Sequence, residues 1–178
     1  MKKNLPRVLL LYAILLLSLA DQRVCAQVQT GRSYINVSKN ATGGTFEPGD
    51  TLEIRSAIAV GNFAAFSITR VRYNDTINGN FTYIPGTLRI LTNEGLVFRS
   101  FTDAANDDAG MFNATNNTLR INLGNASGAA TNTGNATTGG GTINYNDKPS
   151  FYGGVCIMVA SFRVKINNAI PYNTLLTM

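Results

Sequence analysis

From Thr51 to Val60 the side chains alternate, with Leu52, Ile54, Ile58 and Val60 on one side and Thr51, Glu53, Arg55 and Ala57 on the other. A period of two sends alternate residues to opposite faces of an extended chain, so the stretch predicts a half-buried strand. Pro48-Gly49-Asp50 before it predicts the turn from which that strand starts. Pro fixes φ, Gly accepts positive φ, and the Asp carboxylate can accept from nearby backbone N–H groups. Short runs of the same kind at residues 33–38, 66–73, 81–84, 87–91, 119–123 and 155–166 bring the expected number of strands to about seven.

Between Phe66 and Tyr73 the parity slips: Phe66 and Ile68 fall on one face, Val71 and Tyr73 on the other. A bulge is expected there. In the last run Ala160, Phe162, Val164 and Ile166 alternate with Ser161, Arg163 and Lys165, which predicts one wet face. No helical periodicity of comparable strength follows residue 26. Short strands separated by Gly, Asn, Asp and Pro turns predict an all-β fold, an antiparallel β-sandwich.

Two segments do not fit that pattern. Lys2, Lys3 and Arg7 precede an apolar run from Val8 to Ala20, which has the build of a helical signal peptide and is short for a membrane span. Small side chains at Val24 and Ala26 predict cleavage between Ala26 and Gln27, giving a signal peptide at residues 1–26 and a single sandwich domain at 27–178. A secreted or cell-surface location follows, with no membrane span after signal removal. In a lipoprotein reading Cys25 would be the acylated residue, but Gln22-Arg23-Val24 lacks the apolar and small residues of such a site. The second segment, residues 124–142, holds only Gly, Asn, Ala, Ser and Thr. It is expected to be a long flexible low-complexity loop inside the domain.

The 178 residues include no His, which excludes a His-dependent triad, an imidazole metal site and a Cys/His zinc finger. With 44% hydrophobic and 14% charged residues the chain has the makings of a packed core. Its net charge of +5 belongs largely to the leader. Removing residues 1–26 takes away Lys2, Lys3, Arg7, Arg23 and Asp21 and leaves eleven basic and nine acidic side chains, a net +2. No basic stripe interleaved with aromatics suggests nucleic acid. Cys156 is the one remaining thiol, and its apolar run predicts a small buried hydrophobe.

Candidate chemistry is sparse, and neither a catalytic residue nor a cofactor is expected. Asp103, Asp107 and Asp108, with Asn106, could offer oxygen ligands to Ca²⁺. Ala105 stands where an EF-hand needs a ligand, so a solvated acidic loop is the favoured reading. Phe112, Tyr145, Phe151 and Tyr152 could stack on sugars or fill the core. Lys39, Lys148 and Lys165, with Glu53 as the acid, could supply a Lys–Asn crosslink. Asn-X-Ser/Thr triplets begin at Asn36, Asn40, Asn74, Asn80, Asn113, Asn116, Asn125 and Asn135, as expected in a chain rich in Asn and Thr. Asp50-Thr51-Leu52 and Asp75-Thr76-Ile77 are similar to sites that certain bacteria O-glycosylate.

Three phrases carry a resemblance: Phe46-Glu47-Pro48-Gly49-Asp50-Thr51-Leu52-Glu53-Ile54, Asn74-Asp75-Thr76-Ile77 and Tyr83-Ile84-Pro85-Gly86-Thr87. Together they resemble the conserved-repeat domain of long bacterial surface proteins, the family called domain of unknown function eleven. The resemblance implies an immunoglobulin-like sandwich. Its motif residues would be Pro48, Gly49, Asp50, Thr51, Asp75, Thr76, Pro85 and Gly86. Because the family pattern continues through a further strand, it also implies a truncated member. The function expected is that of a noncatalytic structural or adhesive module of the bacterial surface, with surface glycans or neighbouring Ig-like domains as partners. The alternative is a secreted carbohydrate- or calcium-binding module.

Overall fold

The computed structural model describes residues 28–60, 68–92, 98–131, 139–143, 156–171 and 174. The signal segment, the Ala26–Gln27 junction, Lys148, Tyr145, Phe151 and Tyr152 lie outside the described residues. Regular structure among the described residues is entirely β, and none of it is a helix long and apolar enough to cross a membrane.

Among the described residues eleven strands are found where about seven were expected. They are β1 (Val28–Asn36), β2 (Ala41–Thr42), β3 (Thr51–Val60), β4 (Ile68–Thr76), β5 (Phe81–Tyr83), β6 (Arg89–Thr92), β7 (Phe98–Ser100), β8 (Gly110–Asn113), β9 (Thr118–Asn122), β10 (Gly141–Ile143) and β11 (Cys156–Ile166). The four additions, β2, β7, β8 and β10, have two to four residues each. At that length an alternation has no room to declare itself.

The strands form two antiparallel sheets. The larger runs β2-β1-β3-β11-β6-β7, with β5 pairing the far end of β11, and the smaller runs β10-β4-β9-β8. The sheets pack face to face as a β-sandwich. Between them lie Leu52 and Ile54 of β3, Phe162 and Val164 of β11, Tyr73 of β4 and Leu119 and Ile121 of β9, all in one buried cluster. Burying such a side chain contributes about 1.5–3 kcal/mol, which makes this shared layer the main source of stability. Polar contacts also cross the gap: the Ser56 and Tyr73 hydroxyls lie 2.9 Å apart, and Arg32 donates to the Tyr73 hydroxyl at 3.1 Å and pairs with Asp75.

The expected bulge lies in β4. Gly141 pairs with Val71 and Ile143 with Ile68, so three steps on β4 oppose two on β10, and Arg70 takes φ +60°. The extra residue resets the parity, letting Ile68, Val71 and Tyr73 all face the core.

The Gly- and Asn-rich stretch is corrected in part. At its described ends it is held by backbone hydrogen bonds: Asn125 and Thr142 exchange a pair at 2.8 and 2.9 Å, Gly128 N–H donates to Gly139 at 2.9 Å, and Ala130 is fully buried. The small side chains are a packing requirement. A Cβ on Gly140 would stand 2.6 Å from the Arg70 carbonyl carbon, and one on Gly141 2.4 Å from the Asn125 oxygen. Residues 132–138 lie outside the described set.

Candidate functional site

The outward face of the larger sheet is set by the same alternation that builds the core. On β3, Leu52, Ile54, Ser56 and Ile58 point inward, which leaves Glu53, Arg55 and Ala57 on the outer side. On β11, Val159, Ser161 and Arg163 take the corresponding outer positions. Strand register then aligns residues from distant parts of the chain. Ser33 pairs with Arg55, Arg55 with Ser161, Ser161 with Arg89 and Arg89 with Ser100, a transverse row alternating Ser and Arg over five strands. One step along the face, Gly31, Ala57, Val159 and Leu91 form a parallel apolar row, in which Leu91 is 44% exposed. On the other side Glu53 aligns with Arg163.

Over these rows lies a cleft of about 750 Å³, lined among the described residues by Arg32, Arg55, Arg89 and Arg163 and by one carboxylate, Glu53. Arg55 donates to Glu53 Oε1 through Nε and NH2 at 2.9 and 2.7 Å, and Arg163 donates to Oε2 at 3.2 Å. Partial burial pushes the Glu53 carboxyl up, but hydrogen bonds and charge from Arg55 and Arg163 outweigh it and hold its pKa below the ordinary range. Glu53 is thus a fixed anion that positions two guanidinium groups. Arg32 turns its guanidinium to the inner side, onto Ser56, Tyr73 and Asp75. The described charges that line the cleft on the outer face are then Arg55, Arg89 and Arg163 against Glu53, a balance that favours negatively charged ligands.

The motif residues are brought to strand ends. Glu47-Pro48-Gly49-Asp50 closes with Asp50 N–H donating to Glu47 at 3.0 Å and with Gly49 at φ +91°, the geometry of a type II turn. The buried Asp50 carboxylate accepts from Glu47 N–H at 2.9 Å and Asn36 Nδ2 at 2.8 Å, and Lys39 Nζ lies 3.3 Å away. Thr51 opens β3. Asp75 and Thr76 end β4, where Asp75 accepts from Tyr73 and Arg32. Pro85-Gly86 turns between β5 and β6, with Gly86 at φ +73° donating to Asp103 Oδ2 at 2.7 Å.

Lys39, Asn36 and the acid Asp50 are gathered at one point, whereas Glu53 is engaged elsewhere. Nucleophilic attack by a lysine on an Asn amide needs a neutral amine and a protonated acid. Here burial, which opposes both charges, is outweighed by the hydrogen bonds and mutual attraction of the cluster: the Lys39 pKa is raised and the Asp50 pKa lowered. The cluster is therefore built as an ion pair. Asn36, 1% exposed, gives its amide to Asp50, which closes the first glycosylation triplet.

The carboxylates of the acidic loop are bonded within the loop and to the β5–β6 segment. Asp103 accepts from the Tyr83 hydroxyl at 2.6 Å, Asp108 from Thr102 and Gly110 N–H at 2.9 and 2.8 Å, and Asp107 from the Thr102 hydroxyl and Asp108 N–H. Asp107 and Asp108 thus shape their own loop, and Asp103 fastens that loop to Tyr83 and Gly86. Among the described residues no group of three Asp, Glu, Cys or His side chains could hold a metal ion. Phe112 stacks on Tyr83 with ring centroids 4.2 Å apart, which is core packing.

Fold and cleft together define a β-sandwich carrying a cationic trough on the outer face of one sheet. No protein-family model, curated protein or solved structure matches the chain.

Proposed function

We propose that the chain is an exported, noncatalytic adhesive module that binds its partner through the outer face of the larger sheet. The observation that carries this reading is the Ser/Arg row beneath an open cleft of about 750 Å³. Side chains on rigid strands hold such a surface in place without ordering cost at the moment of binding. The Glu53 carboxylate of the cleft is clamped by two arginines, which suits recognition and not proton transfer. The signal-like leader and the similarity to surface-protein repeats support export to the cell surface, where neighbouring Ig-like domains would act as spacers.

The test is retention under flow. Beads coated with the protein are passed over surfaces bearing neutral polysaccharide, acidic polysaccharide or glycoprotein, beside beads coated with Leu91→Asp. Retention on at least one surface, lost in the variant, is the expected result. Failure to be retained anywhere, or equal retention of the variant, refutes the proposal.

A further inference from the structure

The chemistry of the trough narrows the ligand further, and this step rests on the adhesive reading above. We infer that the trough takes a linear polysaccharide bearing carboxylates, a polyuronate, laid along the transverse row from Ser33 to Ser100 at right angles to the strands.

Charge gives the first reason. Arg55, Arg89 and Arg163 all line the cleft; Arg55 and Arg163 each give Nε and one terminal nitrogen to Glu53, so a ligand carboxylate would meet their remaining N–H groups and the net positive charge of the row. Ser161 between Arg55 and Arg89, and Ser33 beyond Arg55, offer small hydroxyls that exchange hydrogen bonds with sugar hydroxyls.

Spacing gives the second. Neighbouring strands lie about 4.8 Å apart, so Arg55 and Arg89, separated by β11 alone, stand about 9.6 Å apart along the row. An extended sugar chain advances by close to one strand spacing per residue, and in a two-fold chain carboxylates recur on one side every second residue. Its charge repeat therefore coincides with the arginine repeat. An acidic peptide in extended form repeats on one face about every 6.7 Å and falls out of step within one repeat.

Shape gives the third. The parallel row Ala57, Val159 and Leu91 lies about 6.7 Å away on the same face, two residues along each strand. It is a flat apolar shelf beside the charged row, and sugar rings present C–H faces of the same kind. Among the described residues no strand pairs beyond Ser33 on β1 or beyond Ser100 on β7, which fits a polymer better than a small anion.

Calorimetric titration of the full chain with oligouronates of increasing length, a neutral oligomer of the same backbone and polyglutamate tests the inference. Affinity should rise to about four sugar residues, one for each strand spacing of the row, and then level off. The neutral oligomer and polyglutamate should bind about tenfold more weakly, and added salt should weaken the uronate. Glu53→Gln removes the carboxylate that the described residues bring to the cleft and should tighten uronate binding severalfold, whereas Arg163→Gln weakens it. Leu91→Asp, at an exposed position, gives the same loss should Arg163→Gln fail to fold.

Equal binding of the neutral oligomer or of polyglutamate overturns the polyuronate assignment while bead retention leaves the adhesive reading standing. Unchanged or weakened uronate binding by folded Glu53→Gln overturns the placement of the ligand on this row. Loss of both titration signal and bead retention sinks the adhesive reading itself.

Discussion

Replacing Asp50 with Ala tests how far this sandwich depends on one turn. The carboxylate is buried and accepts from Asn36 Nδ2 and from Glu47 N–H, and Asn36 is itself buried, so its amide has no water to turn to. A hydrogen bond to a charged group contributes about 1.5–3 kcal/mol, and a buried donor left without an acceptor costs about 1–3 kcal/mol. The Lys39 pair, whose ammonium is open to solvent screening, adds little to this. Two strong bonds lost with partial relaxation give about 3 kcal/mol. For a chain of this size that is a fall in Tm of about 6–12 °C. Urea unfolding should show a lower midpoint at unchanged slope.

The difference should also depend on pH. Although burial pushes the Asp50 carboxyl up, the hydrogen bonds from Glu47, Asn36 and Lys39 outweigh it, so its folded pKa is depressed. A depressed acid stabilises above its unfolded pKa of about 3.9, and that stabilisation is lost as pH falls through the folded value. The gap between wild type and Asp50→Ala should therefore be full at neutral pH and narrow below about pH 4. A variant that melts within about 1 °C of wild type at pH 7, or a gap that widens in acid, refutes the reasoning.

Three further outcomes follow from other parts of the sandwich. Gly140→Ala sets a methyl group against the Arg70 backbone and should cost about 1–3 kcal/mol in thermal unfolding; a neutral result would mean that β10 is not held against the bulge. Arg72 has all three guanidinium nitrogens buried with no hydrogen-bond partner among the described residues, and burial together with the charges of Arg120 and Arg70 lowers its pKa. Arg72→Met should therefore raise Tm, by about 1 kcal/mol of stability, and a fall in Tm would show that the guanidinium has a partner in solution. Burial and the hydrogen bond to Asp75 push the Tyr73 hydroxyl up to about 12. A raised acid stabilises fully below its unfolded pKa of about 10 and loses that contribution as pH rises through the folded value. Stability should thus decline between about pH 10 and 12, and Tyr73→Phe should flatten that decline in alkaline melts followed by tyrosinate absorbance.

What could be read in the sequence was whatever is local. The alternation from Thr51 to Val60 names the inner and outer faces of β3, and the parity slip before Tyr73 names the bulge, because each is a relation between near neighbours. The Pro48-Gly49-Asp50 turn is legible for the same reason. The trough is not, since Ser33, Arg55, Arg89, Ser100 and Ser161 come from five strands and meet only through register. Arg55, Ser161 and Arg163 could be assigned to wet faces, yet nothing in a one-dimensional pattern says that β3 lies beside β11, more than a hundred residues later. The Gly- and Asn-rich stretch was misjudged because low side-chain volume reads as inability to pack. It can equally mean that two backbones must approach closely, as they do at Gly140 and Gly141.

Asp50 and Glu53 lie three residues apart in the same sequence phrase, yet the geometry gives them opposite tasks. Asp50 faces inward at the strand's start, where its charge satisfies buried donors and its loss must appear as lost stability. Glu53 faces outward, where it orients Arg55 and Arg163 while diluting the positive field that a ligand would meet. Removing Asp50 should lower Tm and leave the affinity of the surviving folded protein unchanged. Removing the charge of Glu53 should do the reverse, with affinity rising and Tm moving little, since exposed arginine pairs contribute about 0–1 kcal/mol. Were both substitutions to change stability and binding together, inner and outer faces of β3 would be coupled, and the division of labour implied by a simple alternation would fail.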